Sequence, residues 1–167
     1  YLKKAKEDYL YREFVYRGDK YKVTVIDTKR KTPVTINRGD VFQCIDFIVK
    51  DGKFQMLLRN KKGRKFYLPA DYNLGDRLSF SHSLIEGNKI LKYRDTYATH
   101  YNAILQKELI PTMTINMAEM SWGKPEREVM NNFDGSNRHW FYFGNIYVIY
   151  KNNKLYRVAM IPKDLRL

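Results

Sequence analysis

A chain of 167 residues is long enough for one sizeable domain or two small ones. With 44% hydrophobic and 15% aromatic residues it can bury a core, which excludes a disordered chain, and no run approaches the roughly 18 apolar residues of a membrane-spanning helix. The net charge of +13 favours anionic partners, and the single cysteine excludes an internal disulfide framework and a Cys-based zinc site.

The charge is uneven. Residues 1–100 carry 22 Lys/Arg against 12 Asp/Glu, whereas residues 101–167 carry 9 against 6. Nucleic acid, phospholipid headgroups, anionic glycans and acidic proteins all fit such a field, and the charge does not choose among them. The chain opens on Tyr1 and not Met, so we expect that a segment upstream has been removed or left out.

In chain order, residues 1–14 place Leu2, Ala5, Tyr9, Leu10 and Phe14 among Lys and Glu, a spacing that predicts an amphipathic helix or a linker. From Tyr21 the period changes to two. Strands are predicted at Tyr21–Ile26 and Pro33–Asn37, around a polar turn at Thr28–Thr32. Val41–Lys50 and Phe54–Arg59 then flank Asp51-Gly52, a pair that tolerates positive φ at both positions of a tight hairpin. Lys61-Lys62-Gly63 forms a further turn before Lys65–Leu68, which Pro69 ends. Cys44 falls in one of these apolar strands and reads as a small buried hydrophobe.

Five short strands in some fifty residues imply a small barrel or bent sheet, and their rhythm resembles a bacterial SH3-like barrel. Residues 77–81 and 89–93 read as two more strands around Glu86-Gly87-Asn88. Tyr101, Ile104, Leu105 and Leu109 predict a helix over 97–110, stopped by Pro111.

The last third combines a helix start at Thr114, a stop at Gly123-Lys124-Pro125 and an aromatic hairpin. Residues 138–143, 145–150 and 155–160 read as a three-stranded antiparallel meander. This segment, from about Pro111 to Ala159, resembles the small outer-membrane lipoproteins and the group that shares the fold of β-lactamase inhibitor protein. Members carry a Gly-Met-Thr start, a Gly-x-Pro turn, a Trp-x-Tyr strand and an aromatic strand ending in a tight turn. Here Thr112-Met113-Thr114 matches the first with Thr112 in place of Gly, Gly123-Lys124-Pro125 the second and Trp140-Phe141-Tyr142 the third. The resemblance implies a bacterial envelope or secreted protein that binds or scaffolds and does not catalyse.

The expected architecture is therefore α+β: a helix or linker over 1–14, a small SH3-like β-barrel over 15–96, a helix plus three-stranded antiparallel meander over 97–162, and a tail at 163–167. Thr114, Trp122, Gly123, Pro125, Trp140 and Tyr142 carry the structure of the second module, with both tryptophans in its core. The candidate anion- or partner-binding residues are Arg59, Lys61, Lys62, Arg64 and Lys65, with Phe66 and Tyr67 beside them, and Lys29, Arg30 and Lys31. Such cations either bind phosphates, with an adjacent ring to stack a base, or simply blunt a sheet edge against aggregation.

No catalytic constellation is legible. His82, His100 and His139 lack metal-ligand spacing, and Ser79, Ser81 and Ser83 lack a nucleophile elbow. We thus expect no metal, no cofactor and no enzymatic activity. The expected role is a periplasmic or envelope-associated scaffold that contacts another envelope protein or a cell-wall glycan, held by a lipid or segment upstream of Tyr1. The competing reading is a nucleic-acid-binding SH3-like module that uses the basic N-terminal half.

Overall fold

Short helices and antiparallel sheets alternate along the chain, an α+β arrangement. The computed structural model describes residues 2–18, 22–69, 84–133, 135–142 and 145–160. The backbone divides into two compact units, Tyr1–Thr96 and Tyr97–Leu167. The predicted strand at 77–81, the Ser79–Ser83 stretch with His82, and the tail at 163–167 lie outside the described residues.

The first unit opens with helix α1 (Leu2–Tyr9) and strand β1 (Glu13–Tyr16). It continues through β2 (Lys22–Ile26), β3 (Pro33–Asn37), β4 (Val41–Lys50), β5 (Lys53–Arg59) and β6 (Lys65–Pro69). Beyond residue 83 come β7 (Leu84–Glu86), a short helix α2 (Gly87–Ile90) and a 3-10 turn over Leu91–Tyr93. β6, β5, β4, β1 and β7 form one five-stranded sheet in that order, and β2 and β3 form a separate ribbon.

The predicted N-terminal helix stops well short of residue 14. Tyr11 takes φ 66° and its N–H donates to the Cys44 carbonyl, while the Cys44 N–H donates to Arg12, so β4 captures the chain as it leaves the helix. Phe14-Val15-Tyr16 is an aromatic and β-branched run that suits a pleated surface better than a helix. It lies between β4 and β7, with Phe14 opposite both Phe42 and Glu86. Phe14 and Val15 are wholly buried.

Asp51 (φ 52°) and Gly52 (φ 71°) form the tight turn between β4 and β5. A bulge between Cys44 and Asp46 shifts the register. There Asp46 accepts from the Phe47 N–H and pairs with Lys6 of α1 at 2.7 Å. Side chains from α1, the sheet and the ribbon share one core, in which Val34 and Ile36 join Phe14, Phe42, Phe47 and Phe66. Phe42 and Phe66 meet edge to face at 5.0 Å.

The stretch 89–93, expected as a strand, is helical. Ile90 is fully buried, and Gly87 lies so close to β1 that a Cβ there would stand 3.0 Å from the Glu13 carbonyl oxygen. A glycine is thus what lets the helix start against the sheet.

The second unit holds α3 (Ala98–Gln106), α4 (Ile115–Trp122), β8 (Arg127–Met130), β9 (Arg138–Tyr142), β10 (Ile146–Lys151) and β11 (Lys154–Met160). Helix α3 ends earlier than the predicted 110. Lys107 turns left-handed (φ 58°), its N–H donating to Ile104 and that of Glu108 to Ala103, a Schellman closure without the usual glycine. Thr114 caps α4, its hydroxyl accepting from the Met117 N–H at 3.3 Å. Gly123, at φ 82° and ψ −174°, closes it in a region open in practice only to glycine.

The sheet has four strands in the order β11-β10-β9-β8, not the expected three. The extra strand, β8, is exposed along its whole length and among the described strands pairs with β9 alone, so it carries no apolar alternation to read.

Candidate functional site

The two basic clusters read from the sequence meet in the fold. One carboxylate, Asp27, joins them. It is 2% exposed at the end of β2. Its Oδ1 accepts the N–H groups of Lys29 (2.9 Å) and Arg30 (2.6 Å), which shapes the β2–β3 turn. Its Oδ2 accepts the Arg64 Nε–H at 2.7 Å and the Lys65 N–H at 3.3 Å, which reach it from the β5–β6 turn. The Thr28 N–H donates to the Lys65 carbonyl, and the Arg64 guanidinium also donates to Thr32 Oγ1. The Arg30 amide, the Arg64 side chain and the remaining donors hold the Asp27 carboxyl well below its ordinary 3.8. Asn60 shapes the second turn by accepting from Lys62 and Arg64 backbone N–H groups.

This arrangement sorts the candidate cations. Arg64 is half-buried and occupied by Asp27 and Thr32, so it builds the site. Lys29, Arg30, Lys31, Lys61 and Lys62 are exposed on the two turns, Lys65 is exposed at the start of β6, and Arg59 is exposed at the end of β5, donating to Gln43. Phe66 is wholly buried and has no face to offer a base; Tyr67 is half-buried on the opposite side of β6.

Three open hollows surround the β5–β6 turn, of about 450, 620 and 490 Å³. The first is lined by Glu13, Arg59 and Lys61 among others, the second by Asp40, Lys61, Lys62, Arg64 and Arg94, the third by Asp27, Lys29, Arg30 and Lys65. Asp40 is engaged by the Asn37 N–H. Sequence reasoning missed Arg94, which lines the second hollow from beyond β7 and α2, and Asp27. The signal for Asp27 was present: an Asp that opens a polar turn is placed to accept from the N–H groups two and three residues on.

The second unit offers a different surface. Trp140 is 2% exposed, packs on Tyr150 at 4.9 Å and donates its indole N–H to Glu128, which also receives Arg138 at 3.2 Å. Trp122, expected in the core, is half-buried and donates to the Lys107 carbonyl at 2.9 Å. It meets Tyr142 edge to face at 5.4 Å, and the Tyr142 hydroxyl donates to Gly123 at 3.0 Å. The stop at Gly123, followed by half-buried Pro125, is therefore tied directly to the sheet. Burial pushes the phenols of Tyr142 and Tyr150 above their ordinary range. Tyr150 is fully buried, and its hydroxyl has no hydrogen-bond partner among the described residues.

On the other face of this sheet lie Arg127, His139, Phe141 and Tyr147, which β8–β9 and β9–β10 pairing brings side by side. Phe141 and Tyr147 stack at 6.2 Å with 26° between their planes, Arg127 sits 4.3 Å over Phe141, and His139 lies 6.2 Å from Tyr147. The three rings are half-buried and Arg127 is exposed.

Burial pushes the Cys44 thiol up to about 12. His100 Nε2 is 3.0 Å from Thr112 Oγ1. Among the described residues no three His, Cys, Asp or Glu side chains converge. Comparison with protein-family models, with curated proteins and with solved structures finds no match to this chain.

Proposed function

We propose that this is a non-enzymatic binding or scaffold protein of the bacterial cell envelope that contacts another envelope protein or a cell-wall glycan through the open face of its second sheet. The observation that carries the reading is the row of half-buried His139, Phe141 and Tyr147 beside exposed Arg127. Rigid aromatic rings with a cation beside them supply contact area at low entropic cost, and Tyr and Arg are the residues that dominate binding surfaces.

Two further observations support the resemblance to the small outer-membrane lipoproteins. Thr112, which stands where that group has Gly, adopts φ 71°, a conformation natural to glycine. The residues after it are stitched to the last hairpin: Thr112 N–H donates to Leu155, and Leu155 N–H to Met113. For the first unit, a ribbon and a bent sheet around one core support the finer reading as a small SH3-like barrel. The nucleic-acid reading draws on the joined basic turns, but the sealed Phe66 removes one of its two stacking partners.

The test is site-specific photocrosslinking with p-benzoylphenylalanine at Phe141 or Tyr147, in envelope fractions and with isolated cell wall. Adducts should form at these positions and not at exposed Lys3 of α1. Equal labelling at all three, or none, would overturn the reading.

A further inference from the structure

We infer that the joined β2–β3 and β5–β6 turns form an electrostatic docking tip for an anionic phospholipid surface. Four observations lead there. First, Lys29, Arg30, Lys31, Lys61 and Lys62 on the two turns and Lys65 at the start of β6 are all exposed and share one anchor, so their charges are held together. Second, among the described residues the carboxylates that face them are few and engaged or marginal. Asp27 is taken up by Arg64 and three backbone N–H groups, Asp40 accepts from Asn37, and Glu13 lines just one of these three hollows.

Third, the hollows are three separate open sites around one exposed turn, each with at least two cations. A ring of sites around an exposed tip fits a plane of phosphate headgroups. Fourth, among the described residues the hollows present no exposed aromatic ring: Phe42, the one aromatic residue in their lining, is buried, and Phe66 beside the turn is sealed in the core. Among the described residues this leaves half-buried Tyr67 as the one ring near the turn, a poor platform for stacked bases, so charge dominates the binding. Lysine on a turn tip suits this role: a mobile ammonium adapts to headgroups whose positions are not fixed.

Attraction of this kind is reversible, salt-dependent and additive over the cations close to the surface. The inference is separate from the sheet-face reading, and its failure leaves the crosslinking result untouched.

The experiment is co-sedimentation of the full chain with phosphatidylcholine vesicles, with and without phosphatidylglycerol, at low salt and at about 150 mM. Binding should require phosphatidylglycerol and weaken as salt rises. The double variant Lys61→Ala/Lys62→Ala should bind roughly thirtyfold more weakly, at about fivefold per cation, with an unchanged circular dichroism spectrum. Adding Lys29→Ala and Arg30→Ala should abolish binding.

Asp27→Asn separates a shaped tip from bulk charge. It raises the net charge by one, so attraction by overall charge alone would tighten, whereas a tip that needs its anchor binds more weakly. Vesicle binding that is absent, that survives the quadruple variant, or that tightens in Asp27→Asn would overturn the inference. So would tighter binding of a duplex DNA than of vesicles at physiological salt, which would assign the tip to nucleic-acid backbone instead.

Discussion

The two units use aromatic residues and polar hydrogen bonds in opposite ways. In the first, the large rings Phe14, Phe47 and Phe66 are sealed completely, and the surface is defined by charge on turns that a buried carboxylate ties together. In the second, aromatic side chains perform three tasks at once. Trp140 fills the core and binds Glu128, Tyr142 and Trp122 tie the end of α4 to the sheet and to Lys107, and Phe141 and Tyr147 face outward. A ring with a polar tip can be half-buried at little cost, because the tip finds a partner while the body packs. In the reading proposed above, the first unit offers anions a field, and the second offers a partner a shaped surface.

The sharpest way to break this comparison is Phe14→Ala. Its ring is wholly buried in the middle of the five-stranded sheet, and its removal should cost about 4 kcal/mol. Both tryptophans of the chain lie in the second unit, so their fluorescence reports that unit while circular dichroism reports both. A urea titration should show the dichroism transition moving to lower concentration and the fluorescence transition holding its place. Coincident movement of the two would mean that the units unfold as one.

Next in size is Trp140→Phe. It removes a buried ring and the indole donor to Glu128, and leaves that carboxylate with Arg138 alone. We expect a loss of about 2 kcal/mol, read by chemical denaturation and Trp122 fluorescence. A loss below about 0.5 kcal/mol would show that the indole hydrogen bond and the packing it directs are dispensable.

What the sequence disclosed follows the same division. Strands β2 to β6 were legible because each is bounded by local turn chemistry: the Asp51-Gly52 and Lys61-Lys62-Gly63 turns fix both register and length. β1 was not legible, because four residues in mid-sheet owe their state to Val41–Gln43 and Leu84–Glu86, partners distant in the chain. The same spacing that placed Ala5 and Tyr9 on one helix face ran on to Phe14 without a visible break, since the break is Tyr11 at positive φ. Residues 89–93 alternate well enough for a strand, but they are helical, and the helix starts at Gly87, where the lack of a side chain allows close approach to β1. The basic clusters were plain in the sequence. Their union was not, because it depends on Asp27, a single residue at the end of a strand.

A smaller effect tests that union through pH. The Asp27 carboxyl titrates lower in the folded chain than its ordinary 3.8, so it binds its proton more readily when unfolded. Its contribution is therefore complete at neutral pH and is lost as pH falls through the folded value in strong acid. Asn cannot titrate. The melting temperature of Asp27→Asn should lie several degrees below that of the parent, with a constant gap from about pH 7 to pH 5 that closes below pH 4. A gap that widened in acid would reverse the sign and exclude Asp27 as the ionised anchor.

The smallest effect concerns the position where the second unit departs from the pattern it resembles. Thr112 is β-branched and sits at φ 71°, a conformation that carries about 1–3 kcal/mol of strain for such a residue. Glycine would remove that strain, while its freer unfolded chain would return about 0.4–1 kcal/mol of the gain. Thr112→Gly should therefore raise stability by about 1 kcal/mol, which thermal melting resolves. The hydroxyl contact with His100 is lost in the same change, and Thr112→Val isolates it: the branch is kept, the 3.0 Å contact goes, and the cost should stay within about 0.5–1 kcal/mol. If glycine stabilises and valine does not, the backbone at 112 keeps a glycine geometry that the side chain now opposes, as the resemblance requires. If glycine destabilises by more than valine does, the threonine belongs there for its contacts, and the match to the Gly-Met-Thr start loses its structural support.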